Sequence, residues 1–183
     1  AILFVLAVGG HQAWKAYDLS QRTKSSNLLV GALKAARTGK TEEAGAILAK
    51  LADEGTAGYA LLARFNQAAL LAKSSGPAAA AEAYGKISDD GEVDPLFRDL
   101  ATVLSVLHDI DRGDAGQLSG RLIPLLRTSN PWRHSAKELT ALLARKSGDM
   151  KRARALFREL TDDGSAPPGI RARAAEMSAI LGG

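Results

Sequence analysis

The feature that most constrains this chain is an apolar pattern that recurs four times around small, turn-forming residues. The residues Gly39, Ser75, Gly113 and Gly148 act as anchors, and they are spaced 36, 38 and 35 residues apart. Seven residues before each anchor, and five, nine and twelve residues after it, the chain always carries an apolar residue. These sixteen positions are Ala32, Ala44, Leu48, Leu51, Ala68, Ala80, Tyr84, Ile87, Val106, Leu118, Leu122, Leu125, Ala141, Ala153, Phe157 and Leu160. Since only 46% of the chain is hydrophobic, the coincidence indicates an internal repeat.

Each repeat is predicted to be a pair of helices joined at its anchor. A glycine there can take the left-handed conformation that closes a helix, and Asp114 and Asp149 are placed to cap the helices that follow. Neither helix can bury its apolar stripe alone, so each pair must stack on the next. The sequence therefore predicts an all-α, right-handed solenoid of about four helical hairpins, with a C-terminal capping helix from about Pro168.

The connections between hairpins are rich in turn-forming residues. Two of them, Asp94-Pro95 and Asn130-Pro131, look like a helix cap followed by proline at the first helical position. No stretch shows the sustained two-residue alternation of a β-strand.

Residues that could support catalysis or metal binding are sparse. There is no cysteine, and His11, His108 and His134 lie far apart without the spacing of a zinc-binding helix. Each histidine is predicted to be a partly exposed helix residue. The acids of the "SDDGEVDP" stretch lack the spacing of a calcium loop. The sequence therefore predicts that the chain is not an enzyme. It predicts no catalytic residue, no metal site and no cofactor.

The positive charge is concentrated towards the C-terminus. Ten of the 24 basic residues fall between Arg133 and Arg173, although the net charge is only +4. Six of them flank the apolar stripe of the fourth repeat, with acids close by, and they are Arg145, Lys146, Lys151, Arg152, Arg154 and Arg158. This pattern favours a solvated outer face, and no nucleic-acid partner is predicted.

The first ten residues, "AILFVLAVGG", carry no charge and are followed by Trp14 and Tyr17 and then by basic residues. Aromatic residues followed by charges are typical of the interface end of a membrane-spanning helix. Residues 1–24 are therefore predicted to be the end of a transmembrane anchor and a helical stalk, and residues 25–183 the repeat domain. A signal-peptide core and a first helix that packs on the solenoid stay open as alternatives.

The repeat offsets resemble the tetratricopeptide repeat, with its Gly-Asp turn, its small residue five on and its aromatic residue nine on. Within that class the chain resembles the YfgM-like group, through "AVGGHQAWKAYDLSQRTKSSNLLVGALKAARTGKTEEA", "GTAGYALLARFNQAALLA", "VDPLFRDLA", "NPWRHSA" and "APPGIRARAAEMSAIL". The resemblance implies a single-pass protein of the bacterial inner membrane with its repeat domain in the periplasm. It also implies an ancillary role at the Sec translocon, with translocon subunits, periplasmic chaperones or secretory clients as partners.

The same resemblance implies a partner-binding groove on the first helix of each repeat, 13, 10, 6 and 3 residues before the anchors. Those positions hold Leu62, Phe65, Ala69, Ala72, Leu100, Val103, Leu107, Ile110, Ser135, Glu138, Leu142 and Arg145. Two functions stay open. Either the groove takes an apolar segment of a partner or client, or the chain is a structural, oligomerising protein. In the second case its own terminal helix or a second copy fills the groove, or its function lies in the anchor.

Overall fold

The computed structural model describes residues 2–182, with side chains described from residue 11 onwards. Over that range it is all-helical, as predicted, with nine α-helices and no β-strand. The helices are α1 (Ile2–Arg37), α2 (Thr41–Glu54), α3 (Ala57–Ser74), α4 (Pro77–Ser88), α5 (Pro95–Asp109), α6 (Ala115–Leu122), α7 (Arg133–Lys146), α8 (Met150–Asp162) and α9 (Pro168–Ile180), with a 3-10 turn at Ile123–Leu126. The capping helix thus begins at Pro168, where the sequence predicts it.

The chain divides after Ser74 into two compact units, and each is described by itself. The first unit contains α1 to α3 and the second contains α4 to α9, so the two helices of the second predicted hairpin belong to different units. Inside each unit consecutive helices pack against one another. Helices two apart also touch, namely α1 with α3, α5 with α7 and α7 with α9.

All sixteen positions predicted by the repeat are buried, and none is more than 4% exposed. In the first unit, Ala32, Leu48 and Leu51 form a core cluster with Ala63 of α3. In the second unit α7 is the central helix, because it contributes to two clusters. Its Leu139 and Leu143 pack with residues of α5 and α6, and its Ala141 packs with residues of α8 and α9.

A left-handed glycine closes the first helix of the first, second and fourth predicted hairpins, but not that of the third. Gly39 and Gly148 have φ values of +76° and +85°, and in the second repeat the left-handed residue is Gly76, directly after the anchor, at +91°. Gly113 was predicted to be left-handed, and that prediction is wrong. A Cβ atom there would lie only 2.6 Å from an oxygen of Asp109. Glycine at this anchor therefore relieves a close contact with a side chain.

The predicted aspartate caps are all formed. The carboxylates of Asp94, Asp114 and Asp149 accept hydrogen bonds from the backbone N–H groups of Leu96, Gln117 and Arg152, at 2.8, 2.8 and 2.9 Å. Each bond satisfies one of the amides that the first turn of a helix leaves unpaired, an effect worth about 1 kcal/mol per helix.

The predicted cap at Asn130-Pro131 is displaced. Asn130 does accept a hydrogen bond from the backbone N–H of Trp132 at 2.8 Å, but α7 begins only at Arg133 and its N-cap position is Trp132. The Asn130 side chain instead donates to Asp99 of α5 at 2.8 Å. This asparagine stabilises the turn before the helix and ties that turn to α5.

The Ala153 site provides a test of the hairpin packing. Ala153 is fully buried in the cluster formed by α7, α8 and α9, so Ala153→Leu should overpack it and cost about 1–3 kcal/mol of unfolding free energy. The control is Ala155→Leu on the exposed side of the same helix, which should stay within about 0.5 kcal/mol of wild type. The unfolding free energy of each variant is measured by urea denaturation. Equal losses for the two substitutions would show that Ala153 does not lie on the buried face of α8.

Candidate functional site

The candidate site is an apolar groove in the second unit with a volume of about 590 Å³. Six of the positions predicted for the third and fourth repeats line it, namely Leu100, Val103, Leu107, Ser135, Glu138 and Leu142. The remaining lining residues are Leu104, Trp132, Leu139, Phe157, Arg173, Glu176 and Met177. We call this cavity the α5–α7 groove.

The helical spacing of these residues explains why they meet. The predicted positions on α5 and on α7 are each separated by three and then four residues, so each set lies along one face of its helix. Since α5 and α7 pack side by side, the two stripes form one surface. Val103 lies at its buried floor, whereas the Leu107 side chain is 46% exposed. The groove therefore presents leucine surface to water.

Helix α9 forms one wall of the groove and carries its main electrostatic contact. The Arg173 guanidinium donates two hydrogen bonds to the Glu138 carboxylate, at 2.7 and 2.8 Å. This pairing raises the pKa of Arg173 above its usual range. Glu138, predicted as a polar groove position, is thus held by an ion pair. Arg173 and Met177 are groove residues that the repeat pattern does not predict.

The last predicted groove position of the third repeat and that of the fourth do not line the α5–α7 groove. Ile110 is half-buried against the core cluster formed by α5, α6 and α7. Arg145 is exposed and donates to the sulfur of Met177 at 3.9 Å, so it lies beside the groove on the α9 side.

The predicted groove positions of the second repeat belong to the first unit. There Ala69 lines a smaller cleft of about 360 Å³, together with Leu33, Ala36, Asn66 and other residues of α1 to α3. Leu62 is 45% exposed on α3, and Phe65 and Ala72 are half-buried. The groove positions predicted for the second repeat are therefore described with the first unit, and those of the third and fourth repeats with the second unit.

The predicted membrane interface lies on α1. Trp14 and Tyr17 are 55% and 67% exposed, and α1 continues as one helix across the predicted boundary at residue 24. The side chains of residues 1–10, which carry the predicted anchor, lie outside the described residues. Among the described residues, no helix combines the length and the hydropathy needed to cross a bilayer.

The histidines differ in part from the prediction of partly exposed helix residues. His134 is buried, with 6% of its surface exposed, and its Nε2 lies 3.0 Å from an Asp163 oxygen. His108 is half-buried and stacks on Tyr84 with ring centroids 5.6 Å apart. His11 is exposed. For His134 the prediction of partial exposure is wrong, because its ring fills the space between α7 and the loop that precedes α9.

The cluster around His134 combines the residue types of a hydrolase triad without the geometry of one. Ser165 Oγ donates to one oxygen of Asp163 and lies 3.4 Å from His134 Nε2. The other Asp163 oxygen is bound to that same nitrogen. In a triad the imidazole would link the hydroxyl and the carboxylate through its two different nitrogens. The cluster therefore has the arrangement of a structural hydrogen-bond network that fixes the α8–α9 loop.

Among the described residues no three His, Asp or Glu side chains are arranged to hold a metal ion. Comparison with known proteins finds no family model that matches this chain and no match among curated proteins.

The network at Asp163 predicts a measurable pH dependence. Hydrogen bonds from the Ser165 hydroxyl, the Ser165 backbone N–H and His134 hold the pKa of Asp163 well below its usual range. The folded state therefore takes up this proton less readily than the unfolded state. The resulting stabilisation is complete above the ordinary aspartate pKa of about 4 and is lost as the pH falls below it.

Asp163→Asn should accordingly flatten the acid side of the stability curve. We expect the urea midpoint of the variant to fall less than that of wild type between neutral pH and about pH 3. The control is Asp162→Asn, which removes an exposed carboxylate for which the described residues show no hydrogen bond or ion pair. If the urea midpoints of wild type and Asp163→Asn fell by the same amount between neutral pH and about pH 3, Asp163 would not be the source of this pH dependence.

Proposed function

We propose that this chain is a non-catalytic, tetratricopeptide-like module that binds an apolar segment of another protein in the α5–α7 groove. The observation that carries the proposal is the convergence of six predicted groove positions on one cavity. These positions follow from the four anchors together with the resemblance to the tetratricopeptide repeat. Their meeting in one cavity supports both the register and a surface available for binding.

The solenoid part of the proposal is supported by bonds that join equivalent places in successive repeats. Trp132 Nε1 donates to the Leu96 carbonyl across 36 residues, and Lys146 Nζ donates to the Ile110 carbonyl, also across 36 residues. Arg173 binds Glu138 across 35 residues. The anchors are spaced by 35 to 38 residues, so each bond spans about one repeat, as stacked repeats require.

The composition of the groove favours an apolar occupant. Leucine side chains form much of the lining, and the one cation that lines it, Arg173, is engaged by Glu138. A groove that recognised a C-terminal carboxylate would offer unpaired Lys, Arg or Asn side chains instead. A volume near 590 Å³ suits a few aliphatic side chains projecting from a helix or an extended segment.

The cellular setting is proposed from the sequence resemblance. It comprises a single-pass anchor in the bacterial inner membrane and a periplasmic repeat domain. The role is that of an ancillary factor at the Sec translocon assisting periplasmic chaperones or secretory clients. We expect externally added protease to digest the repeat domain in spheroplasts expressing the full-length protein. Protection of the domain, or its release from membranes by carbonate, would contradict this setting.

A structural role through self-association is the second candidate, because the groove leaves apolar surface exposed, with Leu107 46% exposed, and such surface can be covered by another copy. In that case the occupant would be a second copy of this chain.

Photo-crosslinking from two matched leucines of α5 separates these candidates. A photoreactive residue at Leu107, which lines the groove, should give a crosslink to a distinct partner protein in membranes of expressing cells. The control is the same residue at Leu96, which is 42% exposed, close to the 46% of Leu107, but does not line the groove. Products equal at both sites would refute groove binding, and a product of twice the chain mass from Leu107 alone would favour self-association.

A further inference from the structure

A second cavity lies on the other side of α9, between that helix and α8. It has a volume of about 360 Å³ and is lined by Lys151, Arg154, Ala155, Arg158, Ser178 and Gly182. None of these residues lines the α5–α7 groove. We call this cavity the basic cleft.

The basic cleft brings together three cations, Lys151, Arg154 and Arg158, that form no ion pair with any described residue. Within the described part of the chain, the only hydrogen bond made by their charged groups runs from Arg154 Nε to the carbonyl of Met150, at 3.3 Å. Arg154 and Arg158 are four residues apart on one helix, where like charges repel. The C-terminal end of α9 adds a partial charge of only about −0.5. Among the described residues, the cleft therefore carries an excess of positive charge.

A buried hydroxyl in the same cleft has unused hydrogen-bonding capacity. The Oγ atom of Ser178 is inaccessible to solvent and makes no hydrogen bond to any described group. Buried hydroxyl groups in folded proteins are nearly always bonded. Because Ser178 lines the cleft, rotation of its side chain about χ1 would bring the Oγ atom within reach of an oxyanion bound there.

The geometry points to the basic cleft as a binding site for a phosphate group, which the cations Lys151, Arg154 and Arg158 and the Ser178 hydroxyl hold together. A phosphate monoester carries between one and a half and two negative charges near pH 7, whereas a carboxylate carries one. Its oxygens also offer enough acceptors for guanidinium, ammonium and hydroxyl donors at once. The phosphate can belong to a small soluble compound or to a lipid headgroup. This site does not depend on the function proposed for the groove.

Calorimetric titration of the full chain with inorganic phosphate at constant ionic strength tests the site. We expect Arg158→Gln to weaken phosphate binding about tenfold, the factor that corresponds to the loss of one charge-assisted hydrogen bond. The matched control is Arg152→Gln, which removes the same charge from an exposed residue of α8 outside the cleft. It should leave the affinity within about twofold of wild type. Urea midpoints equal to wild type verify that both variants are folded.

Vesicle sedimentation then identifies the source of the phosphate. Vesicles of phosphatidylcholine alone are compared with vesicles of equal parts phosphatidylcholine and phosphatidylglycerol. Insertion of the apolar residues 1–10 into the bilayer would raise binding to both kinds of vesicle equally, and it would do so in both variants. A loss of binding to the anionic vesicles in Arg158→Gln but not in Arg152→Gln assigns the cleft to lipid headgroups. Phosphate binding without this vesicle difference assigns it to a soluble phosphate compound.

Two results would overturn the site. Equal weakening by Arg158→Gln and Arg152→Gln would show only general attraction by a basic helix. The absence of phosphate binding, together with equal sedimentation of both variants, would show that the cleft takes no phosphate group.

Discussion

The close approach of helices at alanine residues is the constraint on which the rest of the structure depends. Ala44, Ala80 and Ala153 follow their anchors at the same offset, and each has no exposed surface. At these three positions a larger side chain would hold neighbouring helices apart and open voids beneath the bulky residue four positions later, whereas the third repeat places Leu118 at this offset. The Phe157 ring and its counterparts fill that space because the alanine leaves it narrow. Burial of these alanine residues also determines which face of each helix is turned towards its neighbour and which face stays exposed.

The sequence was sufficient to predict the helical class, the sixteen buried positions and the aspartate caps, because these depend on local spacing and on hydrogen bonds within a turn. Two predictions about the turns between helices, at Gly113 and at Asn130, were not met, and both turns involve contacts with other side chains. At Gly113 an Asp109 carboxylate oxygen would lie 2.6 Å from an added Cβ atom. The Asn130 side chain joins two elements, since it accepts from the Trp132 N–H and donates to Asp99 of α5. A single sequence contains no signal for either contact.

The residues of the candidate site also fall into a group that could be predicted from the sequence and a group that could not. Its predicted α5 and α7 residues share the repeat register, and the resemblance to the tetratricopeptide repeat identified them as groove positions. Trp132, Arg173 and Met177 could not be predicted, because they come from the turn before α7 and from the capping helix, where no repeat offset applies. The burial of His134 was missed for a related reason. It depends on a loop carboxylate 29 residues away in sequence, held at 3.0 Å.

The position of α9 between two cavities has a thermodynamic consequence. One side of this helix contributes Arg173 and Met177 to the groove, and another contributes Ser178 to the basic cleft. Any ligand that shifts α9 while binding on one side changes the free energy of binding on the other. By linkage the effect is reciprocal, with the same factor in both directions. A rigid α9 would make the two surfaces independent, so the mobility of this one helix determines their degree of cooperativity.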